Sequence, residues 1–345
     1  MRLTLCLEQT LGHRAHTNNL TNAWAGGDAE IDVIRVDFRK RGPVPWAFDA
    51  SWQAAQVLRR KGRQHDVCFY HTQSTALFAP FVARDRPFVV SVDATPRQID
   101  AIGRWYNHHA SSGTAERLKM QWYRSVFHRS AAVVAWSNWA ADSLVADYGV
   151  QRQRITVVHP GAPPDFFTIS RPAKLVHKPK MLFVGGDLRR KGGDLLLEVF
   201  DQLRDQLDLI MVTPDHVQPR PGLEVISNAN PGSSRLRDAF QRADFFCLPT
   251  RGDCTPLVLG EAMAASLPVI TTRIGSNGET VRDGIDGILI ERDDSQALRS
   301  AIELLSGDHP LRASMGTSAH EAAEERLHAQ RNADRILDLL RSVAQ

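Results

Sequence analysis

Two carboxylates raise the first chemical question in this sequence. In "RGDCTPLVLGEAMAASLPVIT", residues 251–271, Asp253 stands eight positions before Glu261, and Glu261 heads the apolar run Ala262-Met263-Ala264-Ala265. Carboxylates are rarely buried without a partner, because desolvating the charge is costly. Either the chain turns so that both stay wet, or a ligand supplies their partners. A Glu near a helix start can accept hydrogen bonds from the two vicinal hydroxyls of a ribose, and Asp253 can accept from the hydroxyls of a sugar. The backbone N–H groups of the segment Thr255, Pro256 and Leu257 would then face phosphates between them. A nucleotide-sugar would thus partner both carboxylates. The plainer alternative is a capping Asp and a Glu on a partly wet helix.

A second stretch, "MLFVGGDLRRKGGDLLLEVF", reads as a strand, a Gly-rich turn with basic residues, and a helix. Gly185 and Gly186 let the backbone approach a ligand, and the helix N-terminus offers free N–H groups and a positive dipole. Arg190 and Lys191 add charge suited to a phosphate or diphosphate. The same pattern also occurs as a solvated turn. Nearer the N-terminus, Gly12, His13 and His16 follow the first apolar run, while His71 and Asp93 each sit just past another. Each can be a turn residue. Their shared position at strand ends makes them candidates to line one cleft.

These residues need a scaffold that brings strand ends together. The chain has 345 residues, 43% of them hydrophobic and 23% charged, as in an ordinary two-domain globular protein. Strands are expected at 2–7, 32–37, 66–70, 87–92, 131–136 and 155–158, and again at 180–185, 208–212, 223–226, 244–248, 268–271 and 287–290. Helical patterns lie between them, at 16–25, 48–61, 115–129 and 137–148, then at 192–206, 233–242, 257–265 and 295–305, with a long amphipathic stretch at 318–343. Strands separated by helices imply right-handed crossovers and parallel sheets. The fold class expected is therefore α/β, with two Rossmann-like doubly wound parallel-sheet domains. A Pro-rich stretch at 159–180 reads as the hinge. Ligands of such sheets bind at the carboxyl ends of the strands, hence in the cleft between the domains.

Composition narrows the partners. The net charge of +3 hides a basic half, residues 1–165, with 20 Lys and Arg against 14 Asp and Glu; all seven Trp and all four Tyr lie before residue 149. Basic aromatic faces on helices 48–61 (Arg59, Arg60, Lys61, with Arg63 after it) and 115–129 (Arg117, Lys119, Arg124, Arg129) are candidates for peripheral contact with anionic lipid, or else solvated faces. No nucleic-acid module accompanies the charge. No apolar run approaches the ~20 residues that span a bilayer. The dispersed Cys6, Cys68, Cys247 and Cys254 suggest reduced thiols and a cytoplasmic location, peripheral at the inner membrane face if the basic faces dock.

The blocks "VVAWSNWAADSLVADYGVQRQRITVVHPGAPPDFF", "FVGGDLRRKGGDLLLEVF", "ADFFCLPTRGDCTPLVLGEAMAASLPVITT" and "GETVRDGIDGILIERDD" resemble, in order, those of family 4 glycosyltransferases. The resemblance covers nearly all of residues 131–295 and is thinner over 1–130. It implies the GT-B fold, with an acceptor domain at 1–168, a donor domain at 169–324 and a C-terminal helix near 325–345 packing back on the first. It implies that Asp253 touches donor-sugar hydroxyls and Glu261 the ribose, Asp253 standing where the family has a Glu. The family's Gly-Arg reads Gly185-Gly186 here, so Arg190 beside Lys191 is the candidate replacement. Asn228, before a helix where relatives contact the base, is a further donor-side candidate. Asp-x-Asp occurs nowhere, so no metal is expected, and Arg190 and Lys191 would neutralise the leaving diphosphate. The expected activity is sugar transfer from a nucleotide-sugar co-substrate, with no other cofactor, to a hydroxyl of a carbohydrate, lipid-linked or small-molecule acceptor, retaining configuration. Catalytic candidates are Asp253, Arg190, Lys191 and His71; Gly12, His13 and Asp93 are placed on the acceptor side. The alternatives are a catalytically silent nucleotide-sugar or glycan-binding protein and a sugar-nucleotide epimerase.

Overall fold

A computed structural model describes residues 1–10, 12–37, 45–61, 65–83, 86–106, 113–170 and 178–345. Arg63 and the middle of the hinge expected at 159–180 lie outside these residues. Strands β1 (Arg2–Glu8), β2 (Glu30–Val36), β3 (Val67–Tyr70), β4 (Phe88–Val92), β5 (Ala132–Ala135) and β6 (Ile155–Val157) form a sheet in the order β2-β1-β3-β4-β5-β6. Strands β7 (Lys180–Val184), β8 (Asp208–Val212), β9 (Leu223–Ile226), β10 (Phe245–Leu248), β11 (Val269–Thr272) and β12 (Gly287–Ile290) form a second, ordered β12-β11-β10-β7-β8-β9. Every pairing is parallel.

The continuous apolar character of these runs explains the sheets. Strands buried on both faces need apolar residues at successive positions, and β3, β4, β5 and β10 are buried throughout. Side chains then divide by alternation. Cys6, Cys68, Tyr70 and Val90 enter one core of the first sheet, whereas Leu3, Leu5, Leu7, Phe69 and Val89 enter another.

The strand orders locate the ligand-binding ends. In the first sheet the chain leaves β1 to one side and returns to β3 on the other, so the loops after β1 and β3 diverge at a topological switch point. In the second sheet the same reversal falls between β7 and β10. Ligands of open α/β sheets bind at such points. The loops carrying His13, His71, Arg190, Lys191 and Asp253 are the ones that follow β1, β3, β7 and β10.

The chain divides into two compact units, Met1–Pro160 with Ala329–Gln345, and Gly161–His328. The amphipathic stretch expected at 318–343 is two helices, His309–Arg326 and Ala329–Ala344. It breaks where Leu327 leaves the helical conformation (φ −118°, ψ 27°) and turns its carbonyl to the Ala162 amide (2.7 Å), with His328 bridging to Ala162. The last helix buries Ala333, Ile336, Leu337 and Leu340 in the core of Leu3, Leu5 and Leu7, and its Ala333 carbonyl accepts from Trp24 Nε1 at 3.1 Å.

Candidate functional site

In the second unit, β7 runs into a turn whose conformation is forced by close approach. Gly192 has φ +73°, and a Cβ there would lie 2.0 Å from the Pro249 carbonyl oxygen. This contact presses the 190–193 turn against the loop after β10. Hydrogen bonds staple the two together: the Arg251 amide donates to the Arg190 carbonyl at 2.8 Å, and Arg251 Nη1 to the Arg189 carbonyl at 2.7 Å. Arg190 reaches back with Nη1 to the Gly252 carbonyl at 2.9 Å.

Arg190 and Lys191 therefore meet Asp253. Arg190 Nη1 lies 3.1 Å from Asp253 Oδ1, and Lys191 Nζ lies 2.8 Å from both carboxylate oxygens. Thr250 Oγ1 donates to Oδ2 at 2.7 Å. All three charged side chains are largely buried. Gly185 serves this arrangement rather than the approach of a ligand, since a Cβ there would sit 3.0 Å from the Lys191 stem. Gly186 is exposed, with open space where its Cβ would be.

The loop continues into helix Leu257–Ala264, which starts at Pro256 with no side-chain cap. Within its first turn the Leu259 amide donates to the Pro256 carbonyl at 3.2 Å, and no side chain caps the others, which are of the kind an anion can use. Pro256 itself has no N–H, so within the segment the donors must come from Thr255 and Leu257. Thr255 is half-buried and its hydroxyl accepts from Ser276 Oγ at 3.0 Å. Glu261 lies in the second turn, half-buried, and takes no hydrogen bond or ion pair among the described residues. Burial, and after it the nearby Asp165 carboxylate, push its pKa up to about 7. Asp165 is held by Arg237 Nη1 at 3.0 Å. Among the expected site residues, Glu261 is thus a carboxylate still in want of a partner.

Asn228 is placed elsewhere. It follows β9, an edge strand two positions from β7, so the sheet does not bring it to the switch point. Its Oδ1 accepts from Arg235, and it lines a groove of about 470 Å³ with Glu224, Asp238 and Arg242.

In the first unit the ends of β1, β3, β4 and β5 gather a polar cluster. His16 Nδ1 and His71 Nε2 share a hydrogen bond of 2.8 Å, and Trp136 packs edge-on to His13, His16 and His71 at centroid distances of 4.4–5.5 Å. Burial, then the other imidazoles, hold both His16 (down to about 3) and His71 well below the usual range, so both are neutral. His71 is 0% exposed. It cannot touch a substrate as the catalytic residue expected from sequence; it fixes His16 instead. His13 Nε2 sits 3.6 Å from Asp93 Oδ2 and 3.9 Å from Glu8 Oε1. Asp93 accepts from the Ala94 amide at 2.7 Å, and burial raises its pKa. Gly12 starts the helix His13–Ala23 with φ −66° and nothing within 4 Å of its Cβ position, so it provides space rather than a special conformation.

Glu8, Thr72 and Trp136 belong to this cluster and were not among the residues expected. Glu8 accepts from the hydroxyls of Thr10 and Thr72. The signal for all three was their position at the end of a strand. Among the described residues, no group of three or more His, Cys, Asp or Glu side chains is arranged to hold a metal ion.

Two Rossmann-like domains with polar clusters at their switch points define the GT-B class of fold. Residues 4–166 match the profile of Glycosyltransferase Family 4, and residues 178–308 that of Glycosyl transferases group 1. The chain belongs to this family of glycosyltransferases. Among curated proteins it is 28% identical over 220 residues to a D-inositol 3-phosphate glycosyltransferase of Xylanimonas cellulosilytica, covering 56% of this chain and 53% of that one. The chain spans about half to two thirds of the length of the curated relatives it matches. Among solved structures it resembles sucrose-phosphate synthase from Thermosynechococcus elongatus, with TM-score 0.78 and 15% identity over 99% of both chains. It also resembles Anabaena HepE in complex with UDP-glucose, with TM-score 0.71 and 15% identity over 99% of this chain and 100% of that one.

Proposed function

We propose that this chain transfers a glycosyl group from a nucleotide-sugar to an acceptor hydroxyl, without a metal and with retention of anomeric configuration. The observation that carries the reading is the unpartnered, half-buried Glu261 on the helix that follows the Asp253 loop, with Arg190 and Lys191 across that loop. The first can take a ribose and the second a diphosphate. The resemblance to HepE, which was solved with UDP-glucose, supports a nucleotide-sugar as donor. The D-inositol 3-phosphate relatives support a polyol acceptor at the cluster of His13, Asp93 and Glu8. Two charged donors on a leaving diphosphate do the work that a divalent cation does elsewhere, which supports metal independence. A thermal-shift panel of nucleotide-sugars with excess chelator tests the donor side. A bound donor should raise Tm by mass action, and no shift with any nucleotide-sugar would remove the reading.

We further propose peripheral contact with anionic lipid, at the cytoplasmic face of a membrane. Trp52, Phe81 and Leu118 are 45%, 51% and 60% exposed on neighbouring helices, joined through the Trp52–Phe78–Trp122 ring contacts. Arg59, Arg60, Arg117 and Arg124 are exposed on two of those helices. Among the described residues no helix is long and apolar enough to cross a membrane. The four cysteines are buried thiols, as the reading of a cytoplasmic location expects. Sedimentation with vesicles should show binding to anionic but not to purely zwitterionic lipid, reduced by Trp52→Ser with Phe81→Ser. Equal recovery on both vesicle types would contradict it.

A further inference from the structure

A carboxylate offers about four lone-pair positions, and at Asp253 the protein's own groups take all of them. Oδ1 accepts from Arg190 Nη1 at 3.1 Å and from Lys191 Nζ at 2.8 Å; Oδ2 accepts from Lys191 Nζ at 2.8 Å and from Thr250 Oγ1 at 2.7 Å. The side chain is only 8% exposed. None of its capacity is left for the sugar hydroxyls that the family resemblance assigns to it. The same contacts set an anion between the two cations, at the place where a diphosphate would bind.

We propose that Asp253 is a positioning residue and an internal anion: in the ligand-free protein its carboxylate occupies Arg190 and Lys191 and yields them, wholly or in part, to the diphosphate of the donor. The proposal rests on reading Arg190 and Lys191 as the diphosphate site. It has two consequences. A buried Lys191 cation without an anion is unfavourable, and Arg190 keeps a second ion pair, to the half-exposed Asp187 at 3.5 Å, so Asp253 holds chiefly Lys191 in place until a ligand arrives. Once a diphosphate is bound, the displaced carboxylate remains a nearby like charge, which weakens the hold on the product nucleotide and favours its release. The Gly192–Pro249 contact and the Arg190–Gly252 hydrogen bond keep both loops fixed, so the exchange needs only side-chain motion.

The test is calorimetric titration with inorganic pyrophosphate at low and moderate salt. Wild-type protein should bind it and Lys191→Ala should not. Asp253→Asn, which keeps the shape and removes the charge, should bind about tenfold more tightly, with a steeper salt dependence. In turnover with a nucleotide-sugar, the same variant should lower both KM and kcat, because product leaves slowly. A merely structural Asp253 would give weaker binding instead. Thr250→Val leaves every charge in place but removes the anchor of Oδ2, and should tighten pyrophosphate binding by about threefold. If Asp253→Asn does not fold, that variant decides. Folded variants that bind no more tightly than wild type would overturn the proposal. Wild-type protein that binds no pyrophosphate would instead remove the diphosphate site on which it rests.

Discussion

Lys191→Ala is expected to lower kcat by about 10²–10³-fold, the cost of losing one preorganised donor at a developing negative charge. Its ammonium is held by Asp253 at 2.8 Å, and its stem lies against Gly185, where any side chain would displace it. It is therefore aimed before a ligand binds, and its contribution should appear in the chemical step rather than only in affinity. Arg190 does not fully substitute, because its Nη1 also donates to the Gly252 carbonyl at 2.9 Å, a contact that holds the guanidinium in place when Asp253 yields it. Steady-state turnover of a nucleotide-sugar checks this. A loss confined to KM would make Lys191 a binding group only.

Glu261→Gln is expected to weaken nucleotide-sugar binding by about 1.5–3 kcal/mol, the range for a hydrogen bond to a charged group. The pH dependence gives a second handle. With its pKa raised to about 7, Glu261 favours the protonated state in the ligand-free fold. Its stabilising contribution is full below about 4.5 and is lost as pH rises through about 7. Ribose hydroxyls donate to the ionised carboxylate, so binding favours the deprotonated form. Affinity should therefore rise from pH 6 to pH 8 in the wild type, roughly across the titration of this one group, and stay flat in Glu261→Gln. UDP-glucose is a suitable probe, because its diphosphate diester does not titrate there. A wild-type profile as flat as that of the variant would place the ribose elsewhere.

Much of this architecture was legible because it is written in local pattern. Each of the twelve expected strands forms, with ends shifted by at most two residues, because apolar runs between helical segments leave few alternatives. Asp253 and Glu261 were legible from their spacing beside an apolar run. What was not legible depends on distant pairing. Nothing near Asp253 announces that its carboxylate is taken by Lys191, 62 residues earlier, or that His71 is sealed by His16 across 55 residues. The resemblance alone sends Asp253 to the sugar, whereas burial sends it to the cations. One missed element was readable. Thr95-Pro96 followed by Gln98 is a capping box with proline at the first helical position, and it starts the helix Pro96–Ile102 that fixes the end of β4 beside Asp93. The position of Asn228 was not legible for a topological reason: strand order, which the sequence does not spell out, puts β9 at the sheet's edge, away from the switch point.

The central claim is metal-independent glycosyl transfer from a nucleotide-sugar, and the most direct measurement is nucleotide release in excess chelator, with and without a panel of polyol acceptors, the product's anomeric configuration being read by NMR. The account predicts release that depends on an acceptor, resists chelation and yields a product with the donor's configuration. Release abolished by chelator and restored by Mg²⁺ or Mn²⁺, or conversion of the donor to an isomer with no acceptor present, would contradict it.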